Sequence, residues 1–346
     1  MLASTRPGFF SGHEPMNETL LFGALLLLAL TFDFLNGFHD AANVVATMIA
    51  SRALSPRAAL TLAAVSNLVG PLLFGVAVAT TVGSEIVEPE AVTITVVMAA
   101  LASASIWNLV TWWFGIPSSS SHALAGGLVG GALAFGGQAT LRPEGLEKVA
   151  IALFLSPILG FVVGWLLLQI ILFLARGASP KINLTFNRMQ LVTATALALS
   201  HGTNDAQKTM GIITLGLVTM GFQTHFAVPL WVILASATAI GLGTALGGWR
   251  IIRTLGGKFY RIRPIHSLAS QLSSSVIILG ASLLGGPVST THVVSSAIVG
   301  VGAAERKSQV RWSNLTDIGV AWLVTIPATT VLAAACYSLL RPILGP

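Results

Sequence analysis

The chain is one unit written twice. Asn36-Gly37-Phe38-His39-Asp40-Ala41-Ala42-Asn43 lies in a long apolar stretch, and His201-Gly202-Thr203-Asn204-Asp205-Ala206-Gln207-Lys208 echoes it in another. Pro117-Ser118-Ser119-Ser120-Ser121-His122 is echoed by Pro287-Val288-Ser289-Thr290-Thr291-His292. Asp40 and Asp205 stand 165 positions apart, His122 and His292 170. Each copy thus places an acid and a hydroxyl–histidine cluster inside segments too apolar to face water. Intramembrane ionisable groups of this kind mark substrate and ion pathways.

Only 9% of the residues are charged and 54% are hydrophobic, with a mean hydropathy of +0.83. A soluble domain carries about 25% charged residues, so the chain is an integral membrane protein with the lipid bilayer as its solvent. The net charge of +6 sits mostly in short loops and reads as membrane topology, with no nucleic-acid partner. One cysteine, Cys336, permits no internal disulfide.

A membrane-crossing helix needs about 20 apolar residues. Stretches of this kind cover 19–50, 58–82, 91–115, 147–175, 187–220, 227–249, 266–285 and 313–340. Two Gly-rich segments, 117–138 and 287–303, read as closely packed helices or broken, re-entrant hairpins. The expected fold is an all-α membrane protein of two inverted-topology repeats with about five membrane elements each. The divisions are a polar tail at 1–18, a first repeat at 19–175, a linker at 176–186 and a second repeat at 187–341. Arg52 and Arg57, then Arg176, Lys181 and Arg188 at the linker, and the run Arg250, Arg253, Lys258, Arg261 and Arg263 mark cytoplasmic loops. Glu85, Glu88 and Glu90 mark an outer one. Five crossings per copy then invert the second copy and put both termini outside. Inverted repeats with broken helices are the architecture of secondary transporters; a channel or a membrane enzyme built by duplication is the alternative.

Asp40 and Asp205 fall well inside their spans, where an ionised carboxylate must be paired or hydrated. They are the candidate coupling-cation ligands. Gly37 and Gly202 are expected to unwind the helix ahead of each acid and free carbonyls for a cation. Asn43 and Asn204 add amide oxygens. His39, where the second copy has Asn204, either carries a proton or stays neutral on a helix carbonyl. Lys208, where the first copy has Asn43, needs a carboxylate or an anionic substrate, and Gln207 flanks it.

Ser118, Ser119, Ser120 and Ser121, with Ser289, Thr290 and Thr291, give two hydroxyl rows after prolines. A proline in a helix's first turn, capped by Ser or Thr, leaves backbone N–H groups and the positive dipole end to cradle an anion. Two such cradles would grip a tetrahedral oxyanion reversibly. His122 and His292 either touch the anion or orient the hydroxyls. Ser103, Ser105, Ser273 and Ser275 extend the polar path or serve as small residues at helix contacts. An intramembrane serine hydrolase would use one copy and leave the other idle, and no Gly-x-Ser-x-Gly elbow is present.

At these residues the chain resembles the inorganic phosphate transporter (PiT) family. Its Asn-Gly-Phe-His-Asp-Ala-Ala-Asn and His-Gly-Thr-Asn-Asp-Ala-Gln-Lys runs are similar to that family's duplicated signature, and the likeness spans residues ~20–340. The resemblance implies cation-coupled phosphate uptake across the plasma membrane, no enzymatic activity, no cofactor and homodimers. It also implies that Asp40, Asn43, Asn204 and Asp205 serve cation and phosphate sites. His39 and the Gln207-Lys208 pair resemble the bacterial low-affinity branch, which is described as proton-coupled and able to carry metal-phosphate; a sodium-coupled phosphate or sulfate carrier is the neighbouring reading. Phosphate near neutral pH bears a hydroxyl donor that sulfate lacks, so a buried carboxylate accepting it favours phosphate.

Overall fold

A computed structural model describes residues 18–84 and 91–345. Apart from Glu18, the polar tail lies outside the described residues, as does the loop of Glu85, Glu88 and Glu90. Twelve α-helices and no strand build the described part. The first half holds α1 (Glu18–Ala50), α2 (Pro56–Leu73), α3 (Ala77–Ser84), α4 (Ile94–Phe114), α5 (Ser120–Gly136) and α6 (Pro143–Leu174). The second holds α7 (Ile182–Thr219), α8 (Leu230–Leu246), α9 (Trp249–Gly257), α10 (Pro264–Leu283), α11 (Thr290–Arg306) and α12 (Trp312–Leu344).

The expected spans are met in position but not always in continuity. The segment 58–82 breaks after Leu73, where Gly75 adopts φ 79°. The segment 227–249 ends at Leu246, and Gly247, at φ 68°, turns the chain into α9 through a 69° bend. Both breaks use the left-handed backbone that glycine adopts without steric cost. Among the described residues, α1, α4, α6 and α12 are long and apolar enough to cross a membrane alone, and the bent α8–α9 pair qualifies as a fifth. The 38 residues of α7 include His201, Asp205 and Lys208, and α10 carries a run of serines. The 17 residues of α5 and of α11 reach only about 25 Å.

The two halves exchange partners. α2 packs on α7 and α8 on α1, while α5 packs on α12 and α11 on α6. Glycine makes the last two contacts possible. A side chain on Gly126 or Gly130 would collide with the α12 backbone, and one on Gly160 or Gly300 would collide across the α6–α11 seam. Small residues let helices approach closely where lipid supplies no hydrophobic drive. Ser103 belongs to this class of contact: its hydroxyl bonds the Ala100 carbonyl at 2.9 Å and stands against Gly127. Ser273 and Ser275 likewise donate to carbonyls one turn back, at 3.0 Å each, and Ser105 is buried with no partner among the described residues.

Gly37 and Gly202 do not unwind their helices. α1 and α7 run unbroken through them. A Cβ on Gly37 would overlap the Ile240 carbonyl of α8, and one on Gly202 the Asn67 carbonyl of α2. Their glycine character serves close helix approach, and no backbone carbonyl is freed there.

Candidate functional site

α1 and α7 carry their acids inward and set them side by side. One ligand atom each from Asp40, His201 and Asp205 lies within 4.8 Å of the others, and all three residues are buried. Asp40 is held by His39, whose Nδ1 stands 2.7 Å from Oδ1, and by the Thr291 hydroxyl, 3.3 Å from both carboxylate oxygens. His39 also reaches Thr111 on α4 through Nε2 at 3.1 Å, and Ser118 donates to the same threonine at 2.8 Å. Asp205 pairs with Lys208 one turn on and accepts from Thr290 at 3.1 Å.

His201 opens the second cassette, yet it is not among the site residues expected from the sequence. The signal was present: residues 201 and 205 share one helix face. Its place in the network fixes its chemistry. Thr244 donates to the Ile240 carbonyl at 2.9 Å and so accepts from Asn67 Nδ2 at 2.8 Å. Asn67 Oδ1 therefore faces His201 Nδ1 at 3.2 Å, and Nδ1 donates to it. In the neutral ring that tautomer leaves Nε2 as a lone pair, 3.1 Å from Asp205 Oδ2 and 4.0 Å from Asp40 Oδ2, whereas a protonated ring donates from Nε2 to Asp205. Three acceptors that converge in a buried site repel one another unless a proton or a metal cation stands among them.

The hydroxyl rows interlock with the acids across the halves. Ser119 caps α5 and Ser289 caps α11; each side-chain oxygen accepts from the histidine N–H three residues on, at 3.2 Å. Pro117 and Pro287 lie two residues ahead of these caps rather than in the first helical turn as expected. The exposed N–H groups at the helix starts are unaffected, because a cap leaves the first-turn donors outside the intrahelical ladder. Asn43 of α1 donates to Thr291 at 2.9 Å, and Lys208 of α7 donates to Ser121 at 2.5 Å and to the Val288 carbonyl at 3.4 Å. Ser120 is buried and its hydroxyl has no partner among the described residues. The rings of His122 and His292 stack with centroids 4.8 Å apart, and His292 lies 4.1 Å from the Trp322 ring. His122 Nδ1 meets the Ser119 hydroxyl at 2.7 Å. The two hydroxyl rows therefore meet at one place.

Asn204 is tied to Ser282 of α10 at 2.9 Å and to the Gly286 carbonyl just beyond it at 3.4 Å, while its buried Oδ1 has no partner among the described residues. Gln207 serves the scaffold instead. Its Oε1 accepts from the backbone N–H groups of Val78 and Ala79, at 2.7 and 3.3 Å, and so caps the start of α3. Asp33, two turns before Asp40, was not foreseen. Its side chain is fully buried, the Thr209 hydroxyl is its nearest donor, and Asp205 and Lys208 are its charged neighbours. No second-copy acid matches it, so repetition could not reveal it. A cavity of about 410 Å³ between α5, α6 and α10 reaches Ser121, His122 and Lys208. Its walls are otherwise mostly aliphatic.

The chain resembles known proteins over nearly its full length. It is 46% identical over 323 residues to a protein of Bacillus subtilis (strain 168) named "Probable low-affinity inorganic phosphate transporter", covering 92% of this chain and 97% of that one. A protein of the same name in Rhizobium meliloti (strain 1021) is 46% identical, with 93% and 98% covered. Among solved structures, "The sodium-dependent phosphate transporter" superposes with a TM-score of 0.86 at 23% identity, over 94% of this chain and all of that one. The sequence profile of the phosphate transporter family (PHO4) matches residues 36–333. With both duplicated motifs inside that range and close relatives along its whole length, the chain is a multi-pass membrane protein that belongs to the phosphate transporter family.

Proposed function

We propose that the chain is a secondary active symporter that imports inorganic phosphate, free or as metal-phosphate, together with a proton. One observation carries the reading. Both acids, with His201 Nε2 beside them, take hydroxyl donors from the capped start of α11, Thr291 on Asp40 and Thr290 on Asp205. Cation and anion sites thus draw on the same donors. While Asp40 and Asp205 are ionised, Thr291 and Thr290 donate to them. A proton delivered to the acid–His201 cluster removes that demand and releases the hydroxyls to an arriving oxyanion. The two binding events favour each other, which is the thermodynamic content of coupling.

In this reading Asp40, His201 and Asp205 bind the coupling cation, with His39, Asn43 and Asn204 around them. Ser118 to Ser121, Ser289, Thr290, Thr291 and Lys208 receive phosphate at the end of the cavity. The imidazole nitrogen is a poor ligand for a hard cation such as sodium, which prefers oxygen, and a good seat for a proton. Lys208 already places one positive charge on Asp205. The halves are inverted with respect to each other in the plasma membrane, with both termini outside, and expose the site to either side in turn.

Phosphate uptake into liposomes, with pH and sodium gradients imposed separately, tests the proposal. An inward proton gradient should drive accumulation, a sodium gradient alone should not, and Asp40→Asn should abolish accumulation while the protein stays monodisperse. Uptake indifferent to the pH gradient would overturn proton coupling. Sodium-driven uptake would instead give this chain the sodium dependence for which the similar solved structure is named.

A further inference from the structure

A second hollow, of about 490 Å³, lies at the other end of α10. The first cavity touches Ile277 and Leu284 near the C-terminus of α10, whereas this one touches Pro264 at its first turn. The 20 residues between span about 30 Å. Four arginines converge on the hollow from three separate loops: Arg52 after α1, Arg261 and Arg263 before α10, and Arg311 before α12. Among the described residues, no aspartate or glutamate lines it. Arg263 pairs with Glu305 nearby; no ion pair joins Arg52, Arg261 or Arg311 to an acid among the described residues. Loop arginines that only fix topology have no reason to converge, since like charges around one concavity repel. An anion in the hollow turns that repulsion into binding, and guanidinium forks match phosphoryl oxygens.

Two further observations set this place apart. Arg52 has φ 60° and is the only residue other than glycine with a positive φ among those described. It closes the end of α1, where the Arg52 and Ala53 N–H groups bond the Ile49 and Met48 carbonyls, a place that usually takes glycine. The floor is also wired to the transport helices: Ser51 donates to Gln190 of α7 at 2.7 Å directly after the end of α1. Tyr260 donates to the Ile298 carbonyl of α11 at 2.9 Å, and burial pushes its phenol pKa up, so it stays a donor.

We infer that this hollow binds a multiply charged phosphoryl anion at the end of the molecule opposite the cavity that leads to Lys208. Its ligand ties the ends of α1, α10 and α12 together. Free phosphates and phosphomonoester lipid headgroups share this chemistry, and the test separates them. The protein is placed in phosphatidylcholine nanodiscs, with and without phosphatidic acid, and its thermal midpoint is followed as diphosphate is titrated. A soluble ligand predicts a midpoint that rises with diphosphate in either disc. A lipid ligand predicts a rise with phosphatidic acid alone. In both cases Arg261→Gln/Arg311→Gln should weaken the effect by roughly tenfold or more, while phosphate uptake from the cavity side keeps its KM. A midpoint unmoved by both ligands, or moved equally in the double variant, would overturn the inference. Failure of the transport reading would show separately, as absent uptake by the unaltered chain.

Discussion

Lys208 is where the two copies differ most in charge, and that difference has a consequence for which ion the proposed site would take. The first copy has Asn43 at the matching position, and Asn43 donates to a threonine of the other half. Lys208 instead lays an ammonium among the Asp205 carboxylate, the Ser121 hydroxyl and the Val288 carbonyl. Those are the oxygen donors a hard cation takes. Asp33, with no second-copy match, lies near this added charge. Lys208→Asn writes the first copy's residue into the second and frees an acidic oxygen shell. Sodium should then raise phosphate uptake by the variant about tenfold, the effect of roughly 1.4 kcal/mol of new cation binding, and leave the unaltered chain unaffected. Equal sodium responses in the two proteins would contradict this account.

The helices are placed by what they leave out as much as by what they carry. α1 and α7 hold their acids inside because Gly37 and Gly202 bring α8 and α2 to backbone contact. Neither glycine breaks its helix, so the local signal in the sequence misled: glycine weakens an isolated helix, but each is packed against a neighbouring helix and the chain stays helical through it. Gly202→Ala should cost about 1–3 kcal/mol through overpacking, seen as a lowered thermal midpoint in detergent. Gly23→Ala is the control, since a Cβ there meets nothing within 4 Å and should be neutral or slightly stabilising. The starts of α5 and α11 were readable to within a few residues, because hydroxyl rows make strong caps, though the prolines fall ahead of the caps Ser119 and Ser289. The α2–α3 break was not, because Gly75 sits in a run whose hydropathy continues across it, and α9 was not, because Arg250 and Arg253 make its residues read as a loop.

For the whole molecule, the proposed inversion makes a prediction about sidedness. With Cys336 replaced, a membrane-impermeant thiol reagent applied outside should label Thr224→Cys, in the loop after α7, and spare Ala58→Cys, beyond the loop after α1. Both positions are exposed, so labelling of both from one side would rule the inversion out. The duplication, the membrane, the family and the two kinds of cassette all follow from the sequence, because repetition and hydropathy are properties of the chain read in order. So does the special standing of Asp40 and Asp205, since acids in apolar segments require partners wherever they fall. Only the tertiary structure decided who those partners are. Thr291 reaches Asp40 from 251 residues away, and Asn67, from 134 away, sets the tautomer of His201. It also turned Gln207 to a helix cap and brought four loop arginines around one hollow. Contacts between distant segments depend on which helix faces meet, and no local pattern of residues encodes that choice.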